Sequence, residues 1–413
     1  MSSEHQGKRE FDIIVQGATG FTGTLVAEYL LRQYGADGDL SWALAGRSEE
    51  KLRKVREGLG SAAGDVNLIV ADSFDKTALQ SLCERTHVVL TTVGPYALYG
   101  SDLVEACVNS GTHYCDLAGE VQWIRKMIDT HHDRARDSGA KIVNCCGFDS
   151  VPMDIGVWFL QRAAHEKYGS YCKSISMLVK ATKGAASGGT LASMMNLIKE
   201  SREDRSIART LIHPYSLNPE GEREGPDDRD QQRVIYRSDA KAWTAPFVMA
   251  GVNTKVVRRS HALAGYPYGK DFRYDESVLT GRGFSGWLKA TIMTLGLGAL
   301  VFLASFTATR KLLQRFVLSK PGEGPDRELQ QQGFFNLMQI GVLADGTQLR
   351  GRITGDQDPG YGSTSKMLSE CAVCLAKDDL SEVGGVLTPA AAMGEPLIDR
   401  LRKNAGLTFD LRD

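Results

Sequence analysis

The sequence predicts an α/β protein, on three observations. An apolar run at residues 11–15 leads into Gly17-Ala18-Thr19-Gly20-Phe21-Thr22-Gly23, and this turn opens onto a segment with helical spacing at 25–31. Strand-like apolar runs then alternate with helical patterns as far as Pro152, the pattern of a parallel sheet. Beyond Pro152 the alternation stops, and residues 174–179 read as the first strand of a second sheet.

Strand, glycine turn and helix in that order point to a dinucleotide site. Gly17 permits the tight turn, Gly20 lets the backbone approach a pyrophosphate, and Gly23 lets helix and strand pack closely. The helix N-terminus offers unpaired N–H groups and a positive dipole end to the phosphates. Thr19, Phe21 and Thr22 belong to the same expected contact surface. The spacing is G-x-x-G-x-x-G rather than the commoner G-x-G-x-x-G.

Strand two, at 41–46, ends in Gly46-Arg47-Ser48, with Lys51 one turn on. NAD-preferring folds place a carboxylate here for the ribose 2′-hydroxyl, whereas a guanidinium matches a 2′-phosphate. NADP is therefore expected over NAD; the bland alternative is a solvated arginine at a helix start. Strand three, at 66–71, closes at Asp72, which either lies near the adenine or caps a helix from Ser73. Strand four, at 87–93, is followed by Gly94-Pro95-Tyr96. Ligands of doubly wound sheets lie outside the carboxyl ends of the strands. Thr92, Val93, Gly94 and Pro95 are thus placed to touch the nicotinamide half. A helix-start turn with Tyr96 and Tyr99 packed over it is the alternative. Strand five, at 112–115, runs into Asp116-Leu117-Ala118-Gly119-Glu120, and strand six, at 141–146, into Gly147-Phe148-Asp149-Ser150. His131-His132, among Asp and Arg residues of a polar helix, reads as a solvated face rather than a metal pair.

In the second part, a glycine cluster at 184–190 precedes a helix at 191–200 and is a candidate receiver of a substrate anion or carbonyl. Residues 290–309 carry no charge and are bracketed by Lys289 and Arg310-Lys311. About twenty such residues suffice for a bilayer span, but a span would put the two flanks of one soluble domain on opposite sides of a membrane. Peripheral attachment is expected ahead of a buried helix. Residues 334–341 and 348–353 read as a hairpin around Asp345-Gly346, 361–376 as a helix, and the tail to Leu401 as a further helix after Thr388-Pro389.

With 49 basic and 50 acidic residues, net charge −1, there is no electrostatic case for nucleic acid. The eight cysteines are scattered and mostly in apolar runs, which suits a reducing, cytoplasmic setting better than a disulfide framework. Cys371-x-x-Cys374 lacks a second pair at zinc spacing, so no metal is expected. The N-terminus has no apolar secretory stretch.

The motifs 17–23, Ala-Gly-Arg-Ser (45–48), Thr-Val-Gly-Pro-Tyr (92–96), Tyr-Cys-Asp-Leu-Ala-Gly-Glu (114–120) and Gly-Phe-Asp-Ser-Val-Pro (147–152) occur in order. With Gly-Tyr-Gly-Ser-Thr (360–364) and Gly-Val-Leu-Thr-Pro-Ala (385–390), the chain resembles the saccharopine dehydrogenase-like oxidoreductases end to end, in particular the branch of trans-acting enoyl reductases of polyketide-derived lipid assembly. The resemblance implies a Rossmann-type parallel-sheet domain binding NADP, at 1–152. It also implies an inserted α+β substrate domain at 153–355 and a C-terminal helical segment, 356–413, returning to the Rossmann domain. It further implies association with a membrane or lipid droplet, a role for 290–309.

The reading that follows is an NADPH-dependent enoyl-type reductase of an apolar acyl or polyketide-type substrate, in glycolipid or related lipid biosynthesis. A homodimer is counted among its expected partners. Tyr96 or Tyr99 is the candidate acid, with Asp116, Glu120 and Asp149 as alternatives. Two other readings stand beside it: a saccharopine-type amino-acid or imine dehydrogenase, and a non-catalytic lipid-surface protein retaining a nucleotide site.

Overall fold

The computed structural model describes residues 9–184, 188–306, 309 and 324–412. Ala185, Ala186 and Ser187 of the glycine cluster, Thr307, the Arg310-Lys311 flank and residues 1–8 lie outside the described residues.

The first sheet is built from β1 (Phe11–Gln16), β2 (Trp42–Gly46), β3 (Asn67–Val70), β4 (Thr86–Thr91), β5 (His113–Cys115) and β6 (Lys141–Val143). These are joined through α1 (Phe21–Tyr34), α2 (Glu49–Gly58), α3 (Lys76–Glu84), α4 (Tyr96–Tyr99), α5 (Ser101–Ser110) and α6 (Val121–Ser138). The central strands are apolar runs because helices cover both faces of the sheet; Ile13, Ile14, Val15, Val88, Val89 and Leu90 are all inaccessible to solvent.

From α7 (Val151–Tyr168) the chain passes to β7 (Ser174–Lys183), α8 (Gly188–Glu203), α9 (Arg205–Ile212), β8 (Ile235–Arg237), β9 (Ala242–Ala245), α10 (Ala250–Leu263), β10 (Arg273–Gly281) and α11 (Gly283–Ala304). It continues through α12 (Arg327–Gln332), β11 (Phe334–Val342), β12 (Gln348–Gly355), α13 (Gly362–Lys377), β13 (Gly385–Leu387), α14 (Pro389–Asn404) and β14 (Leu407–Arg412).

The first sheet has the order β13-β6-β5-β4-β1-β2-β3, parallel throughout, so the strand order reverses between β1 and β4. A crevice for a ligand is expected at that reversal. The second sheet, β14-β12-β11-β7-β10-β9-β8, is mixed, with β7 and β10 parallel and the expected β11–β12 hairpin antiparallel. One apolar cluster runs from α7 residues Val151, Met153 and Ile155 to Met177, Phe335 and Ile353 of the second sheet. The two sheets therefore share a core.

The C-terminal segment does more than return a helix. α13 packs on α1, β1, β4 and β5, where Tyr29 and Tyr34 each donate a 2.7 Å hydrogen bond to Glu370. β13 extends the first sheet beside β6, and β14 pairs with β12 in the second, so this segment contributes two strands as well as helices. Three local readings are corrected. α3 starts at Lys76 under an Asp75 cap, because the Asp75 side chain accepts from the first-turn amide of Ala78 at 3.0 Å, whereas Asp72 accepts from the Phe74 amide ahead of the helix. His131 is buried in the face of α6, and the neighbouring His132 accepts from the amide of Val386 at 3.1 Å, because β13 packs against this helix. The apolar helix begins at Gly283, seven residues before the charge-free stretch.

Candidate active site at the carboxyl edge of the parallel sheet

The glycine turn has the geometry its sequence suggests. Gly17 has φ +88°, and a Cβ there would stand 2.7 Å from Val93 Cγ2. At Gly23 a Cβ would stand 2.2 Å from the Gly17 carbonyl oxygen, which is the close helix–turn packing itself. The Gly20 amide closes the turn onto Gly17 O at 3.0 Å. Gly20 also stands at the N-cap of α1, where no side chain caps the helix. The first-turn amides are left for an anion. A cradle that a single methyl would fill, beneath an uncapped helix start, fits a dinucleotide pyrophosphate.

The end of β2 lies beside this turn, with a Cβ at Gly46 in van der Waals reach of Thr19 at 3.7 Å. Ser48 caps α2 by accepting from the Lys51 amide at 3.4 Å. Glu49 and Glu50 are paired with Arg53 and Lys54. The exposed Arg47 and Lys51 therefore have no carboxylate partner among the described residues. Asp72 accepts from the Phe74 amide at 2.9 Å, and Phe74, largely exposed, meets Tyr99 edge-on at 5.6 Å.

At the end of β4 the Thr92 amide bonds Gln16 O at 3.0 Å and its hydroxyl bonds Gly17 O at 3.2 Å, which seats Thr92 and Val93 against the glycine turn. A cis Gly94–Pro95 bond follows. Tyr96 turns inward: its hydroxyl donates to Thr91 O at 3.4 Å and accepts from the Leu117 amide at 3.1 Å. Burial, with Asp116 nearby, holds its phenol well above the usual range. Glu120 caps α4 from across the cleft, accepting from the Tyr96 and Ala97 amides at 2.8 and 3.0 Å. Asp116 is also enclosed, accepting from Tyr114, Asn144, Ala118 and Cys145. Burial pushes its carboxyl up to about 7 against the pull of those donors.

Asp149 differs from these. It occupies a turn closed by the Ser150 amide on Gly147 O at 3.1 Å. The Phe148 amide in that turn donates to Thr364 Oγ1 at 3.0 Å, and the Phe148 ring lies 4.8 Å from Phe335 of β11. The Asp149 carboxylate is half-buried with no hydrogen-bonding or ionic partner among the described residues. Burial alone raises it to about 6.

α8 lies across the same edge. Its Gly188 amide donates to the Tyr361 hydroxyl at 2.9 Å, Ser193 donates to Glu120 at 2.8 Å, and Glu200 accepts from Gln122 at 2.8 Å. Tyr361 in turn meets Phe21 of the glycine turn edge-on at 4.9 Å. The structure thus gathers Thr19, Phe21, Arg47, Thr92, Val93, Glu120 and Asp149 along one edge, while the Tyr96 hydroxyl and Asp116 sit beneath it. Tyr361 and Ser193 were missed as members of this edge. The signal for Tyr361 was the Gly-Tyr-Gly-Ser-Thr run ahead of a helix; Ser193 had none.

The family model of the saccharopine dehydrogenase NADP-binding domain matches residues 13–143. A Mycobacterium tuberculosis protein bearing the trans-acting enoyl reductase name is 42% identical over 407 residues, covering 95% of this chain and 96% of that one. The trans-acting enoyl reductase of Mycobacterium bovis is 39% identical over 409 residues, with the same coverage. Among solved structures, saccharopine dehydrogenase (L-Glu forming) from Saccharomyces cerevisiae superposes with a TM-score of 0.53, over 97% of this chain and 99% of that one. At 12% identity this last likeness speaks for the fold alone. The chain belongs to the saccharopine dehydrogenase-like oxidoreductases, in their trans-acting enoyl reductase branch, and is an NADP-dependent oxidoreductase.

Proposed function

We propose that the protein reduces the carbon–carbon double bond of an enoyl group on an apolar acyl or polyketide-type substrate, working at a lipid surface. The observation that carries this reading is the unpartnered, half-buried Asp149 carboxyl at the edge where the two sheets meet. NADPH, when bound, supplies a hydride to the β-carbon. Asp149 then delivers a proton to the α-carbon and is reprotonated from solvent, so that hydride and proton together saturate the bond. An acid raised to about 6 can both hold and release a proton near neutral pH. The Gly17–Gly23 turn holds the pyrophosphate, Arg47, Ser48 and Lys51 the 2′-phosphate, and Thr92–Pro95 the nicotinamide side. Tyr96 and Asp116 support the turn at β4 and β5 from below, and Tyr99 stands at its outer rim.

Two features support an apolar substrate met at a lipid surface. α8 presents Met194, Leu197 and Ile198, all half-buried, on a helix tied to the site mainly through polar side chains. α11 exposes Phe284, Ile292, Leu295 and Phe302 at 62–74% of their surface. It is buried at Gly286 and Ala290 near its start and at Ala304 at its end. A helix of this length, ~33 Å, held at both ends would lie along a membrane rather than cross it. Phe284 and Trp287 near its start, with Arg282 and Lys289 beside them, suit the headgroup layer.

The test is the fate of the label from NADPH deuterated at the transferring C4 position. Deuterium at the β-carbon of an enoyl thioester, with a solvent proton at the α-carbon, is the expected product. NADPH oxidation only with an aldehyde plus an amino acid would overturn the reading.

A further inference from the structure

The Asp149 turn is also tied to the second sheet through buried groups that the reaction itself does not use. Ser150 precedes α7, yet its hydroxyl does not cap that helix. It donates instead to Asn253 Oδ1 of α10 at 3.1 Å. Asn253 Nδ2 donates to Glu276 Oε2 of β10 at 2.9 Å, and Tyr274 donates to Glu276 Oε1 at 2.8 Å. Ser150, Asn253 and Glu276 are 1%, 0% and 2% exposed. The carboxylate at one end and the hydroxyl at the other leave the Asn253 amide a single orientation. Glu276 has no basic partner among the described residues. The charged groups around it are Asp275 on its own strand and Asp230, which accepts from Thr254 of α10 at 2.9 Å.

We infer that Glu276 is a positioning residue: through Asn253 and Ser150 its carboxylate holds the turn that presents Asp149 to the substrate. The inference rests on the enoyl-reductase reading for the role of Asp149, and on geometry alone for the connection. When Glu276 is ionised, both of its bonds are charge-assisted and pull Asn253 toward β10. When it is neutral, it donates to Tyr274 and releases part of that pull. Burial and the neighbouring acids raise its carboxyl to about 8, so both states are accessible near neutral pH.

The experiment compares the full-length protein with Asn253→Ala and Glu276→Gln by amide hydrogen exchange and by steady-state kinetics across pH. Asn253→Ala is expected to speed exchange of the 148–151 amides about tenfold, the loss of roughly one hydrogen bond, with β1 amides unchanged. Glu276→Gln keeps the shape and the bonding, so its exchange at those amides stays at the wild-type rate at pH 6.5. Its kcat/KM profile loses the inflection near pH 8 and keeps the one near 6, with KM for NADPH unchanged in both variants. Wild-type exchange at 148–151 in Asn253→Ala, or a persisting inflection near 8 in Glu276→Gln, would overturn the inference. Absence of enoyl reduction in the wild type would sink the functional reading, while the exchange arm would still decide the connection.

Discussion

Thr364 Oγ1 accepts the amide hydrogen of Phe148 at 3.0 Å, joining the turn after β6 to the first residues of α13 across 216 positions of sequence. A Cβ at Gly147, next to it, would stand 3.1 Å from Thr364 Cγ2 and 2.7 Å from Leu117. α13 thus sets the position of Asp149, two residues beyond Gly147.

Thr364→Val keeps the volume and removes the acceptor, leaving a buried amide unpaired at a cost of about 1–3 kcal/mol. Urea denaturation should show that loss, and activity should fall with little change in NADPH affinity. A variant as stable and active as the wild type would show that this bond is dispensable.

Gly23→Ala should abolish NADPH binding, because its methyl would meet the Gly17 carbonyl at 2.2 Å. Gly58→Ala, at a position with nothing within 4 Å, is the matched control. It should bind normally and be more stable by roughly 0.5–1 kcal/mol. Titration calorimetry separates the two; normal binding by Gly23→Ala would remove the glycine turn from the cofactor site.

Arg47→Ala should erase most of the preference for NADPH over NADH, about one to two decades for a lost charge-assisted hydrogen bond, with NADH affinity nearly unchanged. Equal loss for both cofactors would make Arg47 structural.

Leu295→Glu places a charge on the exposed face of α11, where Leu295 is 68% accessible. The protein should stay folded and bind NADPH but no longer float with anionic liposomes. A wild-type protein that ignores such liposomes would end the lipid-surface account.

The first sheet was legible because parallel strands covered on both faces are written as apolar runs, and Gly17 and Gly23 have no cheap substitute at their contacts. Asp72 and Asp75 are the same residue type three positions apart, and local sequence does not choose between them as a cap. His131-His132 reads as polar among charged neighbours, yet β13, whose Val386 amide donates to His132, lies about 250 residues on. β13 is short, and the pairing of β13 and β14 with β6 and β12 is non-local, although the alternation of Leu407, Phe409 and Leu411 was a usable signal. The choice among Tyr96, Tyr99, Asp116, Glu120 and Asp149 could not be made from the chain. It turns on which side chains other elements enclose: Leu117 and Thr91 take the Tyr96 hydroxyl, and four donors take Asp116.

A second pH effect belongs to Asp149 itself. Its folded value, about 6, lies above the ordinary 3.8. Between those values the unfolded chain ionises first, so this residue's contribution to stability falls as pH rises from about 4 to 6. Asp149→Asn should therefore gain in melting temperature relative to the wild type over that window. A difference that is flat with pH would mean the carboxyl titrates normally.

The most direct measurement is single-turnover oxidation of NADPH by wild-type protein and Asp149→Asn, with an enoyl thioester and with NADPH affinity determined in parallel. The wild type should oxidise NADPH. Asp149→Asn should bind it equally well and react about 10²–10⁴-fold more slowly, the usual weight of a general acid. Equal rates for the two proteins, or no oxidation by the wild type, would contradict the account.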